Sequence, residues 1–161
     1  MITPKINIAK LIRIYNNADA QGRALLIDAL GAEVFKSNVM ERVTSLREAC
    51  EEVGLDFDVE FSAERLKHET EDETAYREWK IIAEALNEGV EVDYRNHNQK
   101  KWTLYVQYDA SGRGLAIYGV DCGHSLTLVG PRLVFLNEKH ARYFFNQFPD
   151  TINKFFSPKS K

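Results

Sequence analysis

Apolar residues recur at helical spacing through the first ninety positions of this 161-residue chain. Ile8, Leu11, Ile12 and Tyr15 form one 3.6-period stripe, which predicts a helix entered through Thr3 as cap and Pro4 at the first helical position. Asn16-Asn17-Ala18-Asp19 reads as a turn whose Asp19 caps a second helix carrying Leu25, Leu26, Ala29 and Leu30 and stopped by Gly31. These two helices are expected to pack as an αα-hairpin. Thr44 is read as the cap of a third helix, with Leu46, Cys50 and Val53 on one face and Gly54 as its stop. Residues 55–73 lack a clear period and read as an acidic surface loop with a short helical turn. A strong helix follows over 74–88, with Ala75, Trp79, Ile82 and Leu86 at core spacing, Tyr76 and Ala83 widening the stripe, and Gly89 closing it.

After Asn96-His97-Asn98-Gln99 the period changes to two. Trp102, Leu104, Val106 and Tyr108 alternate with Thr103, Tyr105 and Gln107, the pattern of a strand. Asp109 to Gly114 reads as a hairpin loop, followed by strands at about 115–120, 124–129 and 133–136. Connections this short exclude parallel crossovers, so an antiparallel meander is expected. Asn137 then caps a helix with Ala141, Phe144, Phe145 and Phe148, and Pro149-Asp150 starts a last helix ending near Phe156. The resulting expectation is an α+β fold in one domain spanning 1–161. Its helical part covers about 1–90, and a four-stranded antiparallel meander with a following helix covers about 99–156, leaving a frayed tail at 157–161.

Composition narrows the classes without naming an activity. With 44% hydrophobic residues and eighteen aromatics, the chain can bury a core without disulfides or a structural metal. Cys50 and Cys122 form no metal-type spacing and read as reduced thiols. The start Met1-Ile2-Thr3-Pro4 lacks the basic segment and apolar run of a signal peptide, and no window approaches a membrane span. A soluble, cytoplasmic protein is expected, with no membrane partner.

The net charge of −3 hides a segregation along the chain. Residues 51–91 hold fourteen acidic and four basic side chains, whereas residues 92–161 hold ten basic and five acidic. Twelve of the eighteen aromatics lie between Tyr94 and Phe156, so the acidic middle and the basic, aromatic last third present two different candidate surfaces. In the middle, Glu69, Glu71, Asp72 and Glu73 could offer a negative face to a protein partner, although acidity before a helix also suits the helix dipole. In the last third, Tyr105 and Tyr118 could stack on the bases of a single strand while Lys100, Lys101, Arg113 and Arg132 meet phosphates. The chain's overall acidity weighs against dedicated nucleic-acid binding.

No constellation assigns a reaction. Ser111-Gly112-Arg113-Gly114 lacks the P-loop pattern and does not lie between a strand and a helix, so it reads as a turn. Asp121-Cys122-Gly123-His124 likewise reads as turn residues rather than a nucleophile or metal pair. His68, His97 and His140 have no metal-binding spacing, and the carboxylates of 51–91 form a mutually repelling, solvated run. No catalytic, cofactor or metal residue is named, and a non-enzymatic protein is expected.

Several separated stretches together resemble one family. They are Tyr15-Asn16-Asn17-Ala18 with Leu25-Leu26 and Gly31 to Phe35; Glu41 to Thr44 leading to Glu48-Ala49-Cys50 and Val53-Gly54; Ile81 to Gly89; and Val129 to Phe135 ending in Gln147-Phe148. In this order, over nearly the whole chain, they resemble a set of uncharacterised small proteins of Bacteroidales genomes, phages and other mobile elements. The segments Ala85-Leu86-Asn87-Glu88-Gly89 and Gly130 to Phe135 are its most specific parts. Residues 90–93 and 102–105 depart from the family's pattern, which carries a Trp and a Pro-containing aromatic strand there. The resemblance implies a genetic setting and no catalytic residues. The expectation is a binding protein of phage or mobile-element origin acting through protein contact, conceivably on host or defence machinery; the alternative is a single-stranded nucleic-acid-binding module.

Overall fold

A computed structural model describes residues 7–36, 38–109, 115–123 and 132–156. Mixed helix and strand, it is an α+β fold. Its elements in chain order are α1 (Ile8–Asn17), α2 (Ala20–Leu30), α3 (Glu33–Lys36), α4 (Val39–Arg42), α5 (Leu46–Glu52), α6 (Phe57–Glu60), α7 (Ala63–Leu66), α8 (Glu71–Leu86), β1 (Lys101–Tyr108), β2 (Leu115–Gly123), α9 (Glu138–Gln147) and α10 (Pro149–Phe156).

Local capping chemistry sets most boundaries. Asp19 accepts from Gly22 N at the start of α2, and Gly31 ends that helix at φ 83°, where a side chain would be strained. Asn137 accepts from Lys139 N at the start of α9. Helix α1 is capped by Asn7; Thr3 and Pro4 lie outside the described residues, and the helix runs on through Asn17, into the expected turn. The cap of α5 is Ser45 rather than Thr44, because Thr44 N (2.8 Å) and Oγ1 (2.6 Å) both donate to the Glu48 carboxylate. The expected loop at 55–73 contains α6 and α7, and α8 begins at Glu71, three residues before the expected start at 74. Thr70 accepts from Glu73 N while the Glu73 carboxylate accepts from Thr70 N, a capping box that extends the helix into its acidic approach.

The α8 stripe holds the core together. Trp79, Ile82 and Leu86 are buried against Cys50 of α5, Leu104 of β1, Phe135, Phe144 of α9 and Ile152 of α10. The Trp79 ring lies 4.8 Å from Phe144 and 5.3 Å from Phe155, a tilted and edge-on aromatic cluster. By contrast α2 buries none of its residues, and Leu25 is 64% exposed, so the apolar stripe expected to face α1 is only partly used.

The four-stranded meander is not what the described residues form. They contain a two-stranded antiparallel sheet, β1 with β2. The expected third strand, at 124–129, and the loop residues 110–114 lie outside the described residues, as does the tail 157–161. The expected fourth strand contributes a single bridge: Trp102 N donates to Phe135 O (2.7 Å) and Phe135 N to Trp102 O (2.9 Å). It therefore pairs with β1, whereas a meander would place it beside a third strand. Asp121, Cys122 and Gly123, expected in a turn, continue β2 and pair with Thr103, Trp102 and Lys101.

Candidate functional site

The acidic segment is a built surface rather than a loose run. Arg77 of α8 donates to the backbone carbonyl of Glu60 and to the Glu69 carboxylate (2.6 Å), with its guanidinium 4.3 Å from the Phe61 ring. Arg65 pairs with Glu60 at 2.8 Å and reaches Glu69 at 3.9 Å. These two arginines tie α6, α7 and the first turns of α8 together. The Arg77 hydrogen bond holds the Glu69 carboxyl below the usual glutamate range. Of the four carboxylates singled out, Glu69 is engaged with Arg77 and Glu73 with the Thr70 cap, while Glu71 and Asp72 complete the first turn of α8. Val59, Leu66 and Tyr76 remain exposed along the same stretch.

On the hairpin, a register shift after Tyr105 makes Tyr118 the extra residue of a β-bulge, so Tyr118 and Gly119 together oppose Tyr105. Tyr105 is 38% and Tyr118 73% exposed, and a Cβ on Gly119 would meet nothing within 4 Å. Leu104, Val106, Ile117 and Val120 pack toward the core, which leaves the two tyrosines together on the outer face.

The basic residues assigned to that face do not all belong to it. Lys101 is 1% exposed; its ammonium donates to Gln99 O (2.7 Å) and Asn96 O (3.1 Å) and lies 5.3 Å from the Tyr94 ring. It is an internal cation that folds the preceding loop around itself and is withdrawn from any phosphate. Lys100 is exposed, and Arg113 lies outside the described residues.

Arg132 instead borders a cleft of about 490 Å³ at the C-terminal end of α8, with Lys80, Glu84, Asn87, Gly89, Val90, Glu91 and Val92. Here the end of α8 and the segment 132–136 meet. The Asn87 side chain donates to Val134 O (3.0 Å) and accepts from Leu136 N (2.8 Å), clamping 134–136 to α8. Around the same helix end Arg13 donates to Gly89 O (3.3 Å), and Glu88, at φ 53°, approaches Arg42 at 3.6 Å. Arg42 in turn makes a two-pronged pair with Glu52, a carboxylate only 2% exposed. Sequence reasoning missed this junction. Lys80, Glu84 and Asn87 lie at helical i, i+4, i+7 spacing and could have been grouped, but nothing along the chain signals the approach of Arg132.

Among the described residues no group of three or more His, Cys, Asp or Glu is placed to hold a metal ion. Burial pushes the Cys50 thiol up to about 11, so at neutral pH it is a protonated core group and not a nucleophile. His140 is half-buried, its Nδ1 has no hydrogen-bond partner among the described residues, and burial lowers its pKa. His124 lies outside the described residues, so no Cys122–His124 geometry is defined. No helix among the described residues is long and apolar enough to cross a membrane. Comparison of the chain with protein-family models, with curated proteins and with solved structures finds no match.

Proposed function

We propose that this chain is a non-enzymatic binding protein that works by protein–protein contact, with the acidic segment 57–76 as its contact surface. The observation that carries this reading is the arginine bracing of that segment: Arg65 and Arg77 fix Glu60 and Glu69, yet Val59, Leu66 and Tyr76 stay exposed beside the first-turn carboxylates of α8. A pre-ordered surface with apolar anchors among charges suits a protein partner, because little ordering entropy is lost on docking. The partner expected is one with a basic, partly apolar groove. In the genetic setting the resemblance implies, that partner belongs to the host or its defence machinery, inside the cell. The test is capture of partners from host lysate by wild type and by a Glu71→Lys, Asp72→Lys, Leu66→Ser variant. A partner retained by wild type and at least about tenfold depleted with the variant is expected; a partner set that the variant leaves unchanged would sink the reading.

A second reading, single-stranded nucleic-acid binding, is favoured by one observation, the shared outer face of Tyr105 and Tyr118. It must rely on Lys100 and residues outside the described set for charge, since Lys101 is buried. Fluorescence titration with oligonucleotides at two salt concentrations decides it. Phosphate contacts must weaken as salt rises, and salt-independent or absent quenching rejects it.

A further inference from the structure

We infer that the cleft at the C-terminal end of α8 is a binding site for a small zwitterion of the α-amino-acid type with an apolar side chain. Four charged side chains line it, Lys80, Glu84, Glu91 and Arg132, and none of them makes an ion pair with another described residue. Lys80 and Glu84 stand one turn apart on α8, the spacing at which such pairs usually close, and they are nonetheless apart. Two cations and two anions that line one concavity without an ion pair among the described residues are poorly matched to a simple anion or cation, because either would meet like charge. They are matched to a ligand carrying both signs.

The backbone adds direction. Helix α8 ends at Leu86, so its carbonyl end and negative dipole pole lie at this cleft and favour the ammonium group beside Glu84 and Glu91. Arg132 offers the planar fork that suits a carboxylate, with Lys80 as a second cation. Val90 and Val92 supply an apolar wall for the side chain, and the volume of about 490 Å³ falls in the range of small-molecule sites. The cleft is also rigid where it must be. Asn87 locks the 134–136 segment onto the helix end, which fixes the segment that Arg132 leads into.

Small-molecule binding here is independent of the protein-contact reading, since it uses different residues and a different end of α8. The test is an amide NMR titration of the full chain with L-leucine, N-acetyl-L-leucine and L-leucine amide. Saturable shifts at the Gly89–Val92 amides are expected with L-leucine, and each blocked derivative should bind at least about tenfold more weakly, having lost one charge-assisted contact. Arg132→Gln should erase the preference for L-leucine over its amide, and Glu84→Gln the preference over the N-acetyl form. Neither side chain has a partner among the described residues, so both variants should unfold at the wild-type midpoint. Absence of saturable shifts with L-leucine, or equal binding of the blocked derivatives, overturns the assignment.

Discussion

Asn87 shows how one polar side chain can decide where a segment of irregular chain lies. Its amide is buried and meets both the Val134 carbonyl and the Leu136 amide, so it replaces the partners a neighbouring strand would have supplied. Asn87→Ala should therefore cost about 2–4 kcal/mol in urea denaturation, because a buried carbonyl and a part-buried amide lose their partners at once. Asn87→Asp should be no milder. A carboxylate can accept from Leu136 N, but it cannot donate to Val134 O and faces that oxygen with like charge. A loss within about 0.5 kcal/mol for either variant would show that the segment is held by apolar packing of Leu133, Val134 and Phe135 alone. Nothing in the chain announces this role, since an asparagine before Glu-Gly at a helix end reads as a stop signal. Lys101 is the opposite case: strand alternation places it away from Trp102, yet the carbonyls of Asn96 and Gln99 draw its ammonium inward.

At the level of elements, the contrast between α2 and α8 explains what periodicity can and cannot reveal. Both carry apolar residues at helical spacing. The stripe of α8 meets α5, β1, α9 and α10 and is buried, whereas α2 is bordered by α1 and buries nothing. Periodicity reports that a face exists but not how many elements cover it, and that number depends on contacts distant in sequence. The caps at Asp19 and Asn137 and the stop at Gly31 were legible because their causes lie within four residues, whereas α8 ends at Leu86 with Asn87 as its cap, short of the expected stop at Gly89. The β1–β2 hairpin was legible for the same local reason, but the bridge from β1 to Phe135 was not, because the partner of Trp102 lies thirty-three positions away and no turn chemistry encodes that pairing. A consequence follows for stability: α2 amides should exchange with solvent at least about a hundredfold faster than those of Trp79 to Leu86, read by native-state hydrogen exchange. Leu25→Ala should change stability by no more than about 0.5 kcal/mol, while Ile82→Ala should cost about 2–5 kcal/mol. Equal protection of the two helices would mean that α2 is covered, by another copy or by the residues outside the described set.

Across the whole molecule the charge segregation read from the sequence is real, but much of it is spent internally. Arg47 pairs with Asp58, Arg65 with Glu60, Lys67 with Glu64 and Arg77 with Glu69, so the acidic belt is braced by cations within and beside it. That arrangement sets how stability depends on pH. Hydrogen bonds from Arg77 to Glu69, from Thr44 to Glu48 and from Arg95 to Asp93 lower those three carboxyl pKa values. Each contribution is fully present above the ordinary carboxyl value, 4.5 for Glu69 and Glu48, and is lost as pH falls through the lower folded value. His140 acts in the same direction from a higher starting point. Burial depresses its pKa below 6.5, so the unfolded chain takes up the proton first and stability begins to fall as pH drops through 6.5. Urea midpoints measured from pH 8 to pH 3 should therefore decline in two limbs, a shallow one below about 6.5 and a steeper one below about 4.5. His140→Gln should flatten the upper limb and leave the lower, whereas Glu69→Gln should shallow the lower and leave the upper. An upper limb that survives His140→Gln would place the titrating group elsewhere and show that the half-buried imidazole is solvated rather than packed.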